Sequence, residues 1–170
     1  MKSLKLSLSL LIALGLLTGC EGSYRTQVTV GTLNLPAGDI GVVRISILNP
    51  PDAKMIQVGP LGLLTFNPAV IQVISLTGVN GFTVFGSTIN NMMGWVQFTA
   101  SFPGGSIRPI VTRDFGVLEI PIIEMAVQAV GPVGVSTALT ITAVDLFTDR
   151  VGNPIPIGPP IAGQVVIIAP

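Results

Sequence analysis

Eight carboxylates, no histidine and a single cysteine, Cys20, bound the chemistry open to this 170-residue chain. Without His, and with its one thiol so near the N-terminus, the folded body has no His-dependent triad, no thiol nucleophile and no His/Cys zinc site. Glu119 and Glu124 are five apart. On a strand that spacing turns them to opposite faces, so they cannot form an acid/base pair without a third element. Asp39, Asp114 and Asp145 are scattered. Asp145, Asp149 and Asn153, with the carbonyls between them, offer the kind of oxygen set Ca2+ takes. The favoured reading of the same residues is a hairpin whose Asp and Asn cap their own backbone, with no metal. Ser and Thr alternate along strand-like runs with no base beside them. The expectation is a protein that is not an enzyme and needs no cofactor.

Binding is the chemistry left. Trp95 is the only tryptophan, in a run where Val96, Phe98 and Ala100 share one face and Trp95, Gln97 and Thr99 the other. Its indole offers a plane with a donor for a sugar ring or a protein partner, although packing under the neighbouring Met92–Met93 loop is the favoured expectation. If Gly62, Leu64 and Phe66 face the core, Leu61 and Leu63 point out of the sheet. They become an apolar contact surface unless a loop covers them or Pro60 breaks the phase through a bulge.

The start of the chain has its own chemistry. Lys2 and Lys5 precede an apolar stretch of about twelve residues, Leu6 to Leu17. That is the length of an export-signal core and short of the ~20 residues needed to span a bilayer. It ends in Leu17-Thr18-Gly19-Cys20, which resembles the bacterial lipobox. The resemblance implies cleavage before Cys20 and a diacylglyceryl group on its sulfur, so that residues 1–19 are a signal peptide, 20–26 a lipidated tether and 27–170 the domain. The expected location is an exported protein held to the cell membrane or outer membrane by lipid; Glu21, not Asp, after the cysteine favours the outer membrane.

The rest of the composition describes the domain that must position these residues. Apolar residues make up 49% of the chain and charged ones only 9%, against roughly 25% in an average soluble protein. Removing the leader leaves six basic and eight acidic side chains, a balance with no footprint for nucleic acid. Twenty Gly and fourteen Pro are too many for long helices. Nine strand-like runs are predicted: Thr26–Leu35, Ile40–Leu48, Met55–Phe66, Ile71–Thr77, Phe82–Ile89, Gly94–Phe102, Gly116–Val130, Ser136–Phe147 and Ile161–Ile168. Clusters such as Asn49-Pro50-Pro51-Asp52 and Gly78-Val79-Asn80-Gly81 separate them. Only Val117–Ala129 has a helical alternative, and Pro121 argues against it. The fold class is all-β, a single sandwich or jelly roll.

Taken in order, several segments resemble the cohesin family. Leu35-Pro36-Ala37-Gly38-Asp39-Ile40 is similar to the family's proline–glycine–aspartate turn and the strand after it. Leu64-Thr65-Phe66-Asn67-Pro68, running on to Val73, is similar to its aromatic-Asp-Pro step. Gly116–Ile120, Leu139–Ile141, Asp149–Pro156 and Gly163–Ile167 follow in matching order. The resemblance implies a nine-stranded flattened jelly roll, related in fold to cellulose-binding modules, that attaches to dockerin-like modules or polysaccharide without catalysis. This chain departs from the pattern where cellulosomal members place a dockerin-gripping Asn and Asp, seven and five residues before the aromatic. Gly59 and Leu61 stand there, and the step itself reads Phe66-Asn67-Pro68. The expected contact is therefore apolar, through Leu61, Leu63 and Trp95. The alternative is a structural envelope lipoprotein that self-associates through the same face.

Overall fold

The computed structural model describes residues 26–49, 53–103 and 119–170, and every regular element among them is a β-strand. Cys20 with its leader and most of the tether lies outside the described residues, as does Asp114. Two sheets face each other. The smaller is antiparallel, in the order β1 (Gln27–Val30), β3 (Ile40–Leu48), β9 (Glu119–Ala129), β6 (Ile71–Gly78). The larger starts at β7 (Thr83–Asn90) and β8 (Trp95–Ser101). β8 then pairs with β4 (Ala53–Val58) and β5 (Leu64–Thr65), which lie end to end, and these pair with β11 (Leu146–Asp149) and β10 (Ser136–Ile141). β12 (Gly163–Ile168) follows, and β2 (Leu33–Pro36) closes the sheet parallel to it.

Alternation builds this sandwich. Val43, Ile45 and Ile47 of β3 and Met125 and Val127 of β9 are buried against Ile56, Val58, Leu64, Val96, Phe98 and Leu139 of the larger sheet. Each such side chain contributes roughly 1.5–3 kcal/mol by leaving water. The nine expected runs appear as twelve strands because three of them break. The first breaks at Gly31, where the chain leaves the smaller sheet (β1) for the larger (β2), a strand that switches layers at a corner. The other two, β4/β5 and β10/β11, break side by side, and the breaks share hydrogen bonds. Thr142 N donates to Leu63 O (2.8 Å), Leu63 N to Thr142 Oγ1 (2.9 Å) and Asp145 N to Gln57 O (2.9 Å).

The segment with the helical alternative is strand β9 over its described part. Pro121 sits beside a register shift between β3 and β9, where a missing ladder donor is tolerated. That bulge buries Ile122 and Ile123 in succession and reverses the phase of the strand.

Candidate functional site

The outer face of β7, β8, β4/β5 and β11/β10 collects the residues singled out for binding. On β8, Val96, Phe98 and Ala100 are buried while Trp95, Gln97 and Thr99 are half-buried on the other side, as the alternation predicts. Register places Asn90 and Thr65 on either side of Trp95, and Thr88 beside Gln97. Met92 and Met93 are 91% and 72% exposed, while Trp95 beside them is half-buried.

The apolar knob stands at the strand break. Val58 and Leu64 are both fully buried, six positions apart, so the strand resumes in its former phase, although inside the break Gly59 is buried and Pro60 and Leu61 are both exposed. Gly62, Leu64 and Phe66 are buried, Leu63 is half-buried, and Leu61 is 85% exposed. The Asp145 carboxylate holds this loop. It accepts hydrogen bonds from Gly59 N and from Gly62 N, the latter at 2.9 and 3.1 Å. Gly62 is required by close approach, since a Cβ there would overlap the Ala143 carbonyl. Gln97 Nε2 donates to Pro60 O (3.3 Å), which joins the loop to the Trp95 side of β8. A shallow groove of about 370 Å³ runs beside it, lined by Gln57, Pro60, Ser87, Thr88, Gln97 and Thr99.

The electrostatics of this face are those of a neutral surface. β5, β7, β8 and β10 contain no charged residue, and Lys54 on β4 and Asp149 on β11 lie together at one end of the sheet. The face presents amides, hydroxyls, an indole and an isobutyl group.

The carboxylates do not assemble into a centre. Asp145 and Asp149 lie at opposite ends of β11, one holding the Gly59–Gly62 loop and the other its own hairpin. Asp149 Oδ1 accepts from Val151 N and Asn153 N, and Oδ2 from Asn153 Nδ2, all within 3.0 Å. Desolvation acts to raise the Asp149 pKa, and hydrogen bonds from Asn153, Val151 and Gly152 outweigh it and hold the carboxyl below its ordinary range. Asp149 and Asn153 thus form the self-capping hairpin, while Asp145 is turned to the Gly59–Gly62 loop. Among the described residues no group of three or more His, Cys, Asp or Glu is placed to hold a metal ion.

Glu119 and Glu124 correct the simple strand expectation. They stand opposite Leu48 and Arg44, which share a face of β3, so the bulge in β9 turns both carboxylates to the same outer surface. Four residues of β3 separate those positions, about 13 Å along the strand. Glu124 accepts from Arg44 Nε (3.3 Å) and Glu119 from Thr29 Oγ1 (3.3 Å).

The Asn67 of the turn that replaces the family's aspartate keeps the turn's geometry. Its Oδ1 accepts from Ala69 N (3.0 Å), and its backbone N donates to Thr137 Oγ1 (2.7 Å). Sequence reading missed the Asp145 clamp, because residues 83 or more positions apart give no local signal.

No family model matches the sequence, and no curated relative does. Solved structures do match. A chain of a type I cohesin–dockerin complex from Clostridium thermocellum superposes with a TM-score of 0.66 at 13% identity, over 85% of this chain and 99% of that one. A type I cohesin from Pseudobacteroides cellulosolvens gives 0.64 at 13% identity, over 86% and 94%. A non-cellulosomal cohesin from the archaeon Archaeoglobus fulgidus gives 0.61 at 17% identity, over 85% and 92%. Likeness at such identities is likeness of fold, and it makes this chain a cohesin-type jelly roll.

Proposed function

We propose that the chain is a non-catalytic, lipid-anchored attachment module of the cell surface that grips a dockerin-like protein module through the outer face of β7, β8, β4/β5 and β11/β10. The observation that carries this reading is the pinned loop at Leu61. An 85% exposed leucine stands on an uncharged sheet face, in a loop held by the Asp145 carboxylate. Large apolar side chains fixed in place lose little entropy on docking and serve well as anchors. Fold neighbours described as cohesin–dockerin complexes support a protein partner. Gly59 and Leu61 replace the polar pair of cellulosomal members, so the partner presents an apolar pocket where a standard dockerin presents groups for hydrogen bonding.

The anchor is the lipid on Cys20 implied by Leu17-Thr18-Gly19-Cys20. From Cys20 to Gln27 the chain reaches about 25 Å at most, which keeps the β1 end of the sandwich at the membrane surface. Mass spectrometry of membrane-extracted protein should show an acylated N-terminal Cys20, and an unmodified secreted form would overturn the anchor.

Calorimetric titration of the chain against dockerin modules and a polysaccharide panel tests the partner. A dockerin-like module should bind, and Leu61→Asp and Trp95→Ala should weaken it at least tenfold, since anchor truncations cost about 2 kcal/mol or more. Binding to polysaccharide alone, or binding indifferent to both substitutions, would overturn this assignment.

A further inference from the structure

Among the described residues five strands have an outer side, β1, β2, β6, β7 and β11, and four of these are covered or blunted; at β11, Asp149 N donates to Asn153 O and Ile155 N to Phe147 O. At β6, the Asn91 side chain occupies both backbone groups of Val73. At β1, Val30 N donates to Ile161 O and Ile161 N to Val28 O, so a passing segment takes the place of a strand. β2 is four residues long and ends in Pro36. β7 differs. Like β6 it runs eight residues without a charge, but no Asn91-like cap is seen on it, and among the described residues it pairs only with β8. Edge strands are ordinarily guarded by lysines, prolines or brevity, because their free N–H and C=O groups template another strand. One guard is present, a bulge at Phe85, which leaves Gly86–Asn90 as the regular portion.

We propose that the outer edge of β7 pairs antiparallel with β7 of a second copy of this chain about a two-fold axis. Neutrality selects this occupant. A two-fold brings each residue of the strand opposite a residue of the same strand, so any Lys or Glu near the axis would meet its own copy, and like charges in register oppose pairing. Thr-Val-Phe-Gly-Ser-Thr-Ile-Asn presents none. Phe85, 65% exposed, adds apolar surface beside the joined strands. The contact is small, so the pair forms with rising protein concentration, as on a membrane crowded with anchored copies. It uses the backbone edge of the larger sheet, whereas the Leu61 loop projects from the sheet's face.

Single cysteines at Ser87, Thr88 and Ile89 of the full chain, oxidised in the membrane, test this against the parent carrying only Cys20 and against Asn34→Cys on the β2 edge. Disulfide-linked homodimer should peak at one β7 position, exceed the Asn34→Cys level several-fold, and fall when Phe85→Lys is added. Circular dichroism of the Phe85→Lys chain should stay that of the parent. Homodimer no greater than at Asn34, yields insensitive to Phe85→Lys, or cross-linking of β7 to a different protein would each overturn it.

Discussion

The side-chain amide of Asn91 makes with Val73 both hydrogen bonds that a neighbouring strand would make. Val73 N donates to Asn91 Oδ1 and Asn91 Nδ2 to Val73 O, each at 2.9 Å. The amide belongs to the β7–β8 turn of the larger sheet and closes the β6 edge of the smaller one, so one residue ties the two layers at this corner. Asn91→Leu keeps the bulk and strands two part-buried backbone groups, at a cost of about 1–3 kcal/mol. Thermal unfolding should fall by roughly 2–4 °C for each kcal/mol lost. An unchanged midpoint would show that water replaces the amide freely.

Asp145 acts on the candidate site through the loop it holds. Asp145→Ala frees Gly59 N and Gly62 N, and the loop then loses the geometry that presents Leu61. Amide exchange at Gly59 and Gly62 should quicken, while Ile56 and Val96 in the core keep their protection. Partner affinity should fall with that loosening, although Asp145 itself need touch no partner. Faster exchange across the whole larger sheet would instead mark a general loss of stability.

The alternation of Val43, Ile45 and Ile47, or of Val96, Phe98 and Ala100, was legible because it is local: period two and flanking turn residues fix which side enters the core. The outward position of Leu61 followed from the same rule. Three kinds of feature were not legible. The bulge in β9 depends on how Pro121 meets β3, so it reversed the expected facing of Glu119 and Glu124 without any sign in the spacing. The paired breaks of β4/β5 and β10/β11 are set by contacts between Leu63 and Thr142, 79 residues apart. Asp145 was expected to cap its own hairpin with Asp149 and Asn153, and its neighbours in space make it instead a clamp on the Gly59–Gly62 loop.

Glycines at Gly62 and Gly86 separate close approach from open space. A Cβ at Gly62 would overlap the Ala143 carbonyl, a backbone group that cannot swing away, whereas one at Gly86 meets nothing within 4 Å. Gly62→Ala should destabilise the domain by about 1–3 kcal/mol and displace the Asp145 hydrogen bonds. Gly86→Ala should lie within about 0.5 kcal/mol of the parent. Denaturant midpoints of the two variants provide the comparison, and equal midpoints would mean that the β10–β11 break yields to a methyl group.

Asp149 gives the hairpin after β11 a pH dependence of known sign. Hydrogen bonds from Asn153, Val151 and Gly152 outweigh desolvation and hold its folded pKa below the ordinary 3.8. The unfolded chain therefore binds the proton more tightly than the folded one. The carboxylate's contribution to stability is complete above the unfolded value and disappears as pH falls through the lower folded value. Asp149→Asn keeps an acceptor and a similar shape but lacks the titration. The parent should be the more stable of the two at neutral pH, with the gap narrowing as the medium is acidified from pH 4. Because the two proteins share every other side chain, the difference between their unfolding midpoints isolates Asp149. A gap that stays constant through acid would show that the hairpin bonds do not depend on the charge.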